Sequence, residues 1–79
     1  MKGELLQRIE VNPKVMAGKP VIKGTRVPVE LILRLLAQGI TFEKLLEDYP
    51  HLTKEDIQAA LLYAAGVLAN EEILLIATG

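Results

Sequence analysis

The sequence predicts a mainly α fold in which a short N-terminal β-arm or hairpin precedes three helices, the last two in a helix-turn-helix layout. Three observations carry this. Residues 1–27 hold only brief apolar stretches, cut by Asn12-Pro13, Pro20 and Gly24, which suits short strands and turns. From Pro28 onward the apolar residues recur at helical spacing. Thr41 and Thr53 each stand between a preceding hydrophobic residue and an acidic first turn, a helix-start pattern.

In the arm, Leu5, Gln7, Ile9 and Val11 alternate with Leu6, Arg8 and Glu10, so a strand is expected there, closed by Asn12-Pro13. Val15-Met16 suits a helical turn or a bend. Pro20 to Lys23 reads as a second strand ending at Gly24. Two short strands alone are marginal in water, so they must pair across a dimer or lie on the helices.

The first expected helix starts at Pro28, whose missing N–H costs nothing at a first helical position. It runs to Gln38, with Gly39 as its stop. Its polar residues, Glu30, Arg34 and Gln38, repeat every four positions as one thin stripe. Glu30 stands N-terminal to Arg34, the favourable order for an i,i+4 pair. All its other side chains are apolar, so this helix is expected to be buried on most sides.

The second helix takes Thr41 as N-cap, with Glu43 where the helix dipole favours it. Ile40 and Leu45 form a hydrophobic staple. Pro50 cannot continue the helix, which therefore ends by Tyr49. The third repeats the device, with Thr53 as cap, Asp56 at the capping-box position and Leu52 and Ile57 as staple. Beyond Gln58 it is apolar on every face. Ala59, Ala60, Ala64, Ala65 and Gly66 would let another helix approach closely. Gly66 weakens a helix by about 1 kcal/mol relative to alanine, and close packing is a reason to keep it. The apolar tail over 70–79 suits a strand, a helix extension, or a peptide ordered only on binding.

The 79 residues make one domain: an arm with a basic segment over 1–27, a bundle over 28–69 and the tail. A chain this short buries a marginal core of its own, and it has no cysteine to reinforce it. Yet 51% of its residues are hydrophobic, which makes self-association, as a homodimer, or a partner surface the expected outlet. The longest apolar run, Ala59–Ala69, has 11 residues, against about 20 for a membrane-spanning helix. No apolar leader core follows Lys2, so a cytoplasmic location is expected. Charge is segregated. Residues 1–39 carry seven cations and three anions, and residues 40–79 carry two cations and seven anions. A basic half attracts phosphate, and an acidic half attracts a basic protein.

The run Gly18-Lys19-Pro20-Val21-Ile22-Lys23-Gly24-Thr25-Arg26-Val27-Pro28-Val29 is the most distinctive stretch. Together with Gly39-Ile40-Thr41, Asp48-Tyr49-Pro50-His51-Leu52-Thr53 and Glu55-Asp56-Ile57, it resembles the domain-of-unknown-function family numbered 433. Many members of that family resemble VapB-type antitoxins. The resemblance covers roughly Ile9 to Leu68. It implies a homeodomain-like three-helix fold with a β-arm, genomic pairing with a PIN-like ribonuclease toxin, and by analogy a self-repressing DNA-binding role. One departure is Ala17, where the family often has a second glycine.

For DNA, the candidate contacts are Lys19, Lys23, Thr25 and Arg26, with Lys54 at the start of the third helix. Arg26 suits a base edge or a narrow minor groove and the lysines suit phosphates. The competing reading has Thr25 capping the turn and Arg26 paired with a carboxylate. Glu55 and Asp56 disfavour insertion of the third helix into a major groove, since phosphate charge dominates affinity. For a protein partner, the candidates are Glu71, Glu72, Ile73, Leu74, Leu75 and Ile76. No enzyme chemistry is expected: His51 is the only histidine, and no nucleophile stands near a positioned base. Neither cofactor nor metal cluster is indicated. The leading function is thus an antitoxin-like partner of a PIN-like nuclease. The alternatives are a stand-alone DNA-binding regulator and a dimerisation module without enzymatic activity.

Overall fold

The computed structural model describes the backbone of residues 2–78 and the side chains of residues 4–69. It is mainly helical, with a two-stranded antiparallel hairpin ahead of the principal helices. The chain opens with α1 (Lys2–Leu6), which corrects the expected strand over residues 5–11. Only β1 (Ile9–Glu10) is extended. The alternation of Leu5, Gln7, Ile9 and Val11 misled because Leu5 and Leu6 belong to a helix that packs on the last helix of the chain. A turn closed by the Arg8 N–H on the Leu5 carbonyl, 3.0 Å, then redirects the backbone into β1.

β2 (Val21–Ile22) pairs with β1 in the register Ile9 with Ile22 and Glu10 with Val21. The strands therefore meet within one chain. β2 also carries a second antiparallel rung, between Val21 and Pro28, closed by Ile22 N–H to Val27 carbonyl at 3.0 Å and Val29 N–H to Pro20 carbonyl at 2.9 Å. Val21 and Ile22 sit between two backbone neighbours and are fully buried. Between the strands, Met16, Ala17 and Gly18 form a tight turn with φ of 50°, 56° and 83°, all left-handed.

α2 (Val29–Ala37) begins one residue later than expected, with Pro28 as an extended N-cap rather than the first helical residue. Its end is a Schellman motif. Gly39, at φ 93°, donates to the Leu36 carbonyl at 3.0 Å and Ile40 donates to the Leu35 carbonyl at 3.1 Å, the pairing that a left-handed residue after the helix allows. α2 is less buried than its apolar sequence suggests. Val29 and Ile32 are buried, whereas Leu31, Leu33, Leu35 and Leu36 are only half-covered.

α3 (Phe42–Asp48) is capped by Thr41, whose hydroxyl accepts from the Lys44 N–H at 3.1 Å. α4 (Lys54–Thr78) opens with a closed capping box. The Thr53 N–H donates to Asp56 Oδ2 at 2.9 Å, and the Asp56 N–H donates to Thr53 Oγ1 at 3.2 Å. The core joins Ile22, Val27, Val29, Ile32, Leu45, Leu52, Ile57 and Ala60. Both expected staples feed it: Leu45, Leu52 and Ile57 are buried, and Ile40 packs against them. The tail candidates Glu71, Glu72, Ile73, Leu74, Leu75 and Ile76 lie outside the residues whose side chains are described.

Candidate functional site

Between the two backbone rungs of β2 and Val27–Val29, the chain turns through Lys23, Gly24, Thr25 and Arg26. The Thr25 N–H donates to the Ile22 carbonyl at 3.0 Å, and Gly24 at φ 80° supplies the positive φ that a type II turn needs at its third position. The Thr25 hydroxyl braces the turn from both sides. It donates to the Ile22 carbonyl at 2.7 Å and accepts from the Val27 N–H at 3.0 Å. Thr25 is thus a structural brace. The buried Ile22 and Val27 anchor both feet of the turn in the core. Lys23 and Arg26 are left exposed on a rigid support, and neither side chain makes a hydrogen bond or ion pair among the described residues.

Four other cations are bonded to carboxylates, whereas Lys14 and Lys54 are exposed and form no ion pair among the described residues. Lys19 donates to Glu30 Oε2 at 2.8 Å, and Arg34 reaches Glu30 Oε1 at 3.1 Å. The hydrogen bond from Lys19, then its charge and that of Arg34, hold the Glu30 carboxyl below the usual 4.5. Lys44 bridges Asp48 at 3.2 Å and Glu47 at 3.4 Å. Its ammonium is held above the usual 10.5, first by the hydrogen bond to Asp48. Arg8 donates to Asp56 Oδ1 at 3.1 Å. Asp56 is 7% exposed, so the acid that counts against DNA contact by α4 is turned inward. Glu55 remains exposed, as does Lys54 beside it.

Of the five sequence-chosen DNA candidates, the fold brings Lys23, Thr25 and Arg26 together on one turn. It commits Lys19 to Glu30, on the rim of a different feature, and sets Lys54 at the start of α4. Lys23 also borders a polar recess of about 380 Å³ with Glu4, Gln7, Arg8 and Asp56. Arg8 and Asp56 lie 48 residues apart, and no local pattern announces their pairing.

The other feature is an apolar groove of about 400 Å³. Pro20, Val29 and Leu33 line one side, Tyr63, Ala64, Val67 and Leu68 the other, and the Lys19–Glu30 pair the rim. The apolar run 59–69 was legible as a sticky surface, but its facing wall, made by Pro20 and α2, was not. Among the described residues no three potential ligands cluster to hold a metal ion, and no helix is long and apolar enough to cross a membrane.

Comparison with known proteins finds relatives whose names state no activity. The chain is 42% identical over 53 residues to the uncharacterized protein y4eO of Sinorhizobium fredii, a match spanning 67% of this chain and 24% of that protein. It therefore corresponds to about a quarter of that relative's length. It is 57% identical over 30 residues to an uncharacterized protein of Archaeoglobus fulgidus, covering 38% of this chain and 83% of that one. In three dimensions it is similar to the crystal structure of a DUF433 member protein from Anabaena variabilis. The TM-score is 0.72 at 35% identity, over 91% of this chain and 74% of the other. The family model described as protein of unknown function (DUF433) matches residues 9–64, a span that runs from β1 through the turn and groove into α4, and the chain belongs to that family.

Proposed function

We propose that this chain is a VapB-like, antitoxin-type module of the cytoplasm without catalytic chemistry of its own. In this reading it binds operator DNA through the Lys23–Arg26 turn and a PIN-like ribonuclease through its acidic, apolar C-terminal half. The observation that carries the DNA arm is the sorting of cations. Among the described residues Arg8, Lys19, Arg34 and Lys44 are each bonded to a carboxylate, whereas Lys14, Lys23, Arg26 and Lys54 are exposed and form no ion pair, and of these Lys23 and Arg26 share one turn braced by Thr25. Cations that form no ion pair keep their charge available for phosphate, the dominant source of affinity for nucleic acid. A pre-ordered turn also loses little freedom on binding.

The nuclease arm rests on charge. Residues 40–79 carry seven anions against two cations, a field that complements a basic RNA-binding groove and speeds encounter with it. Glu71, Glu72 and the apolar residues Ile73 to Ile76 are the contacts assigned to this arm.

A gel-shift assay with the promoter fragment upstream of the gene tests the DNA arm. Arg26→Ala should weaken binding by about 1–3 kcal/mol if it reads a base edge, and Lys23→Ala should reduce the salt slope by about one. Affinity unchanged by both substitutions would remove the turn as the contact. Co-purification with the product of the neighbouring gene tests the nuclease arm, and truncation after Asn70 should abolish capture. DNA binding without a nuclease partner would leave a stand-alone regulator.

A further inference from the structure

We infer that a second copy of this chain covers the groove between α2 and α4. In the proposed isologous pair, the Tyr63–Leu68 stretch of each α4 enters the groove of the other.

The groove is apolar on both walls, and the charged groups on its rim, Lys19 and Glu30, neutralise each other at 2.8 Å. A charged partner segment would lose hydration there without gaining a counter-charge. The matching occupant is an uncharged helix, and this chain supplies one: α4 has no charged residue from Ile57 through Asn70. Val67 is 43% exposed and Leu68 56%, so the same stretch that walls the groove also projects from it.

Gly66 gives an independent sign. It lies inside α4, where glycine costs about 1 kcal/mol relative to alanine. A β-carbon added there would meet no atom of another element within 4 Å, so none of the described residues requires its absence. A helix packing closely from outside would require it.

The surface also carries a ridge between two furrows. A second furrow, lined by Leu6, Leu62, Tyr63, Gly66 and Val67, runs on the other flank of the same helix. Tyr63 and Val67 form the ridge between the two furrows. A ridge flanked by grooves on one surface is what a two-fold contact between identical helices uses, since each ridge seats in the other's groove.

Sedimentation equilibrium of the 79-residue chain tests this. The expected mass is twice that of the chain. Leu68→Glu and Gly66→Leu should each yield monomers with unchanged far-UV circular dichroism, because both positions are open in the single chain. Leu61→Glu, an exposed α4 position that lines neither furrow, should leave the pair intact. The chain lacks cysteine, so mixing Leu33→Cys with Leu68→Cys protein under oxidation should give the mixed disulfide-linked dimer in excess of either homodimer. A wild-type chain that stays monomeric at all concentrations overturns the inference. So does a dimer broken by Leu61→Glu but not by Leu68→Glu, or a mixed disulfide no more abundant than the homodimers. None of these readouts involves DNA or a nuclease, so they stand or fall apart from the proposed function.

Discussion

Ala17 holds its backbone at φ 56° and ψ 33°, a left-handed conformation that crowds a β-carbon against the following carbonyl. Glycine adopts it without that penalty. Ala17→Gly should therefore raise stability by about 1 kcal/mol, less the entropy that glycine restores to the unfolded chain, as measured by the urea midpoint. Asp56 serves two masters, the Thr53 N–H at 2.9 Å and the Arg8 guanidinium at 3.1 Å. Asp56→Ala should cost about 1–2 kcal/mol, since it removes the cap and leaves a donor unsatisfied. Asp56→Asn keeps an acceptor for the cap and weakens only the ion pair, so its cost should be smaller. Equal losses in the two variants would mean that the Arg8 pair, rather than the cap, holds the helix start. The capping box was legible from Thr53 and Asp56 at their spacing. Arg8 was not, because the pairing depends on α1 and β1 carrying that residue across to α4.

At the scale of elements, α2 is tied to the arm by Glu30, which accepts from Lys19 ahead of the helix and from Arg34 within it. The Glu30 carboxyl is held below its usual 4.5, so the folded state binds its proton less readily than the unfolded chain. Its contribution to stability is present above the unfolded value and is lost as pH falls through the folded one. Lys19→Ala should return the Glu30 titration toward 4.5, read by carbon-detected NMR of the side-chain carboxyl. An unmoved titration would show that Arg34 alone sets it. Lys44 in α3 has the opposite sign. Its ammonium is held above the usual 10.5, so its contribution is present at neutral pH and fades as pH rises through the folded value. The i,i+4 order of Glu30 and Arg34 predicted their pair, whereas Lys19, 11 positions before Glu30, reaches it only through the folded path of the arm.

Across the whole molecule, the buried core is built from one face each of α2, α3 and α4 against β2, while Leu61, Val67 and Leu68 of α4 remain exposed. Apolar surface left in this state makes stability depend on concentration when a second copy covers it. The thermal midpoint of the wild-type chain should therefore rise with protein concentration, and Leu68→Glu should flatten that dependence in differential scanning calorimetry. A concentration-independent midpoint for the wild type would mean that the exposed α4 surface contributes nothing to folding in solution.

The helix starts at Thr41 and Thr53, the stop at Gly39, the staples and the turn at Gly24 were set by sequence alone, since each arises from residues within about one turn of one another. The identity of the Gly18–Val29 segment as a rigid basic join was set the same way. Tertiary structure decided what that local information could not reach. It turned Leu5 and Leu6 into a helix because α4 lay ready to receive them, and it paired β1 with β2 inside one chain. It also sent Arg8 to Asp56 and Lys19 to Glu30, and brought Lys23 and Arg26 together on one turn with no ion pair among the described residues. Contacts between residues tens of positions apart depend on where the backbone carries them, and a one-dimensional pattern holds no record of that distance.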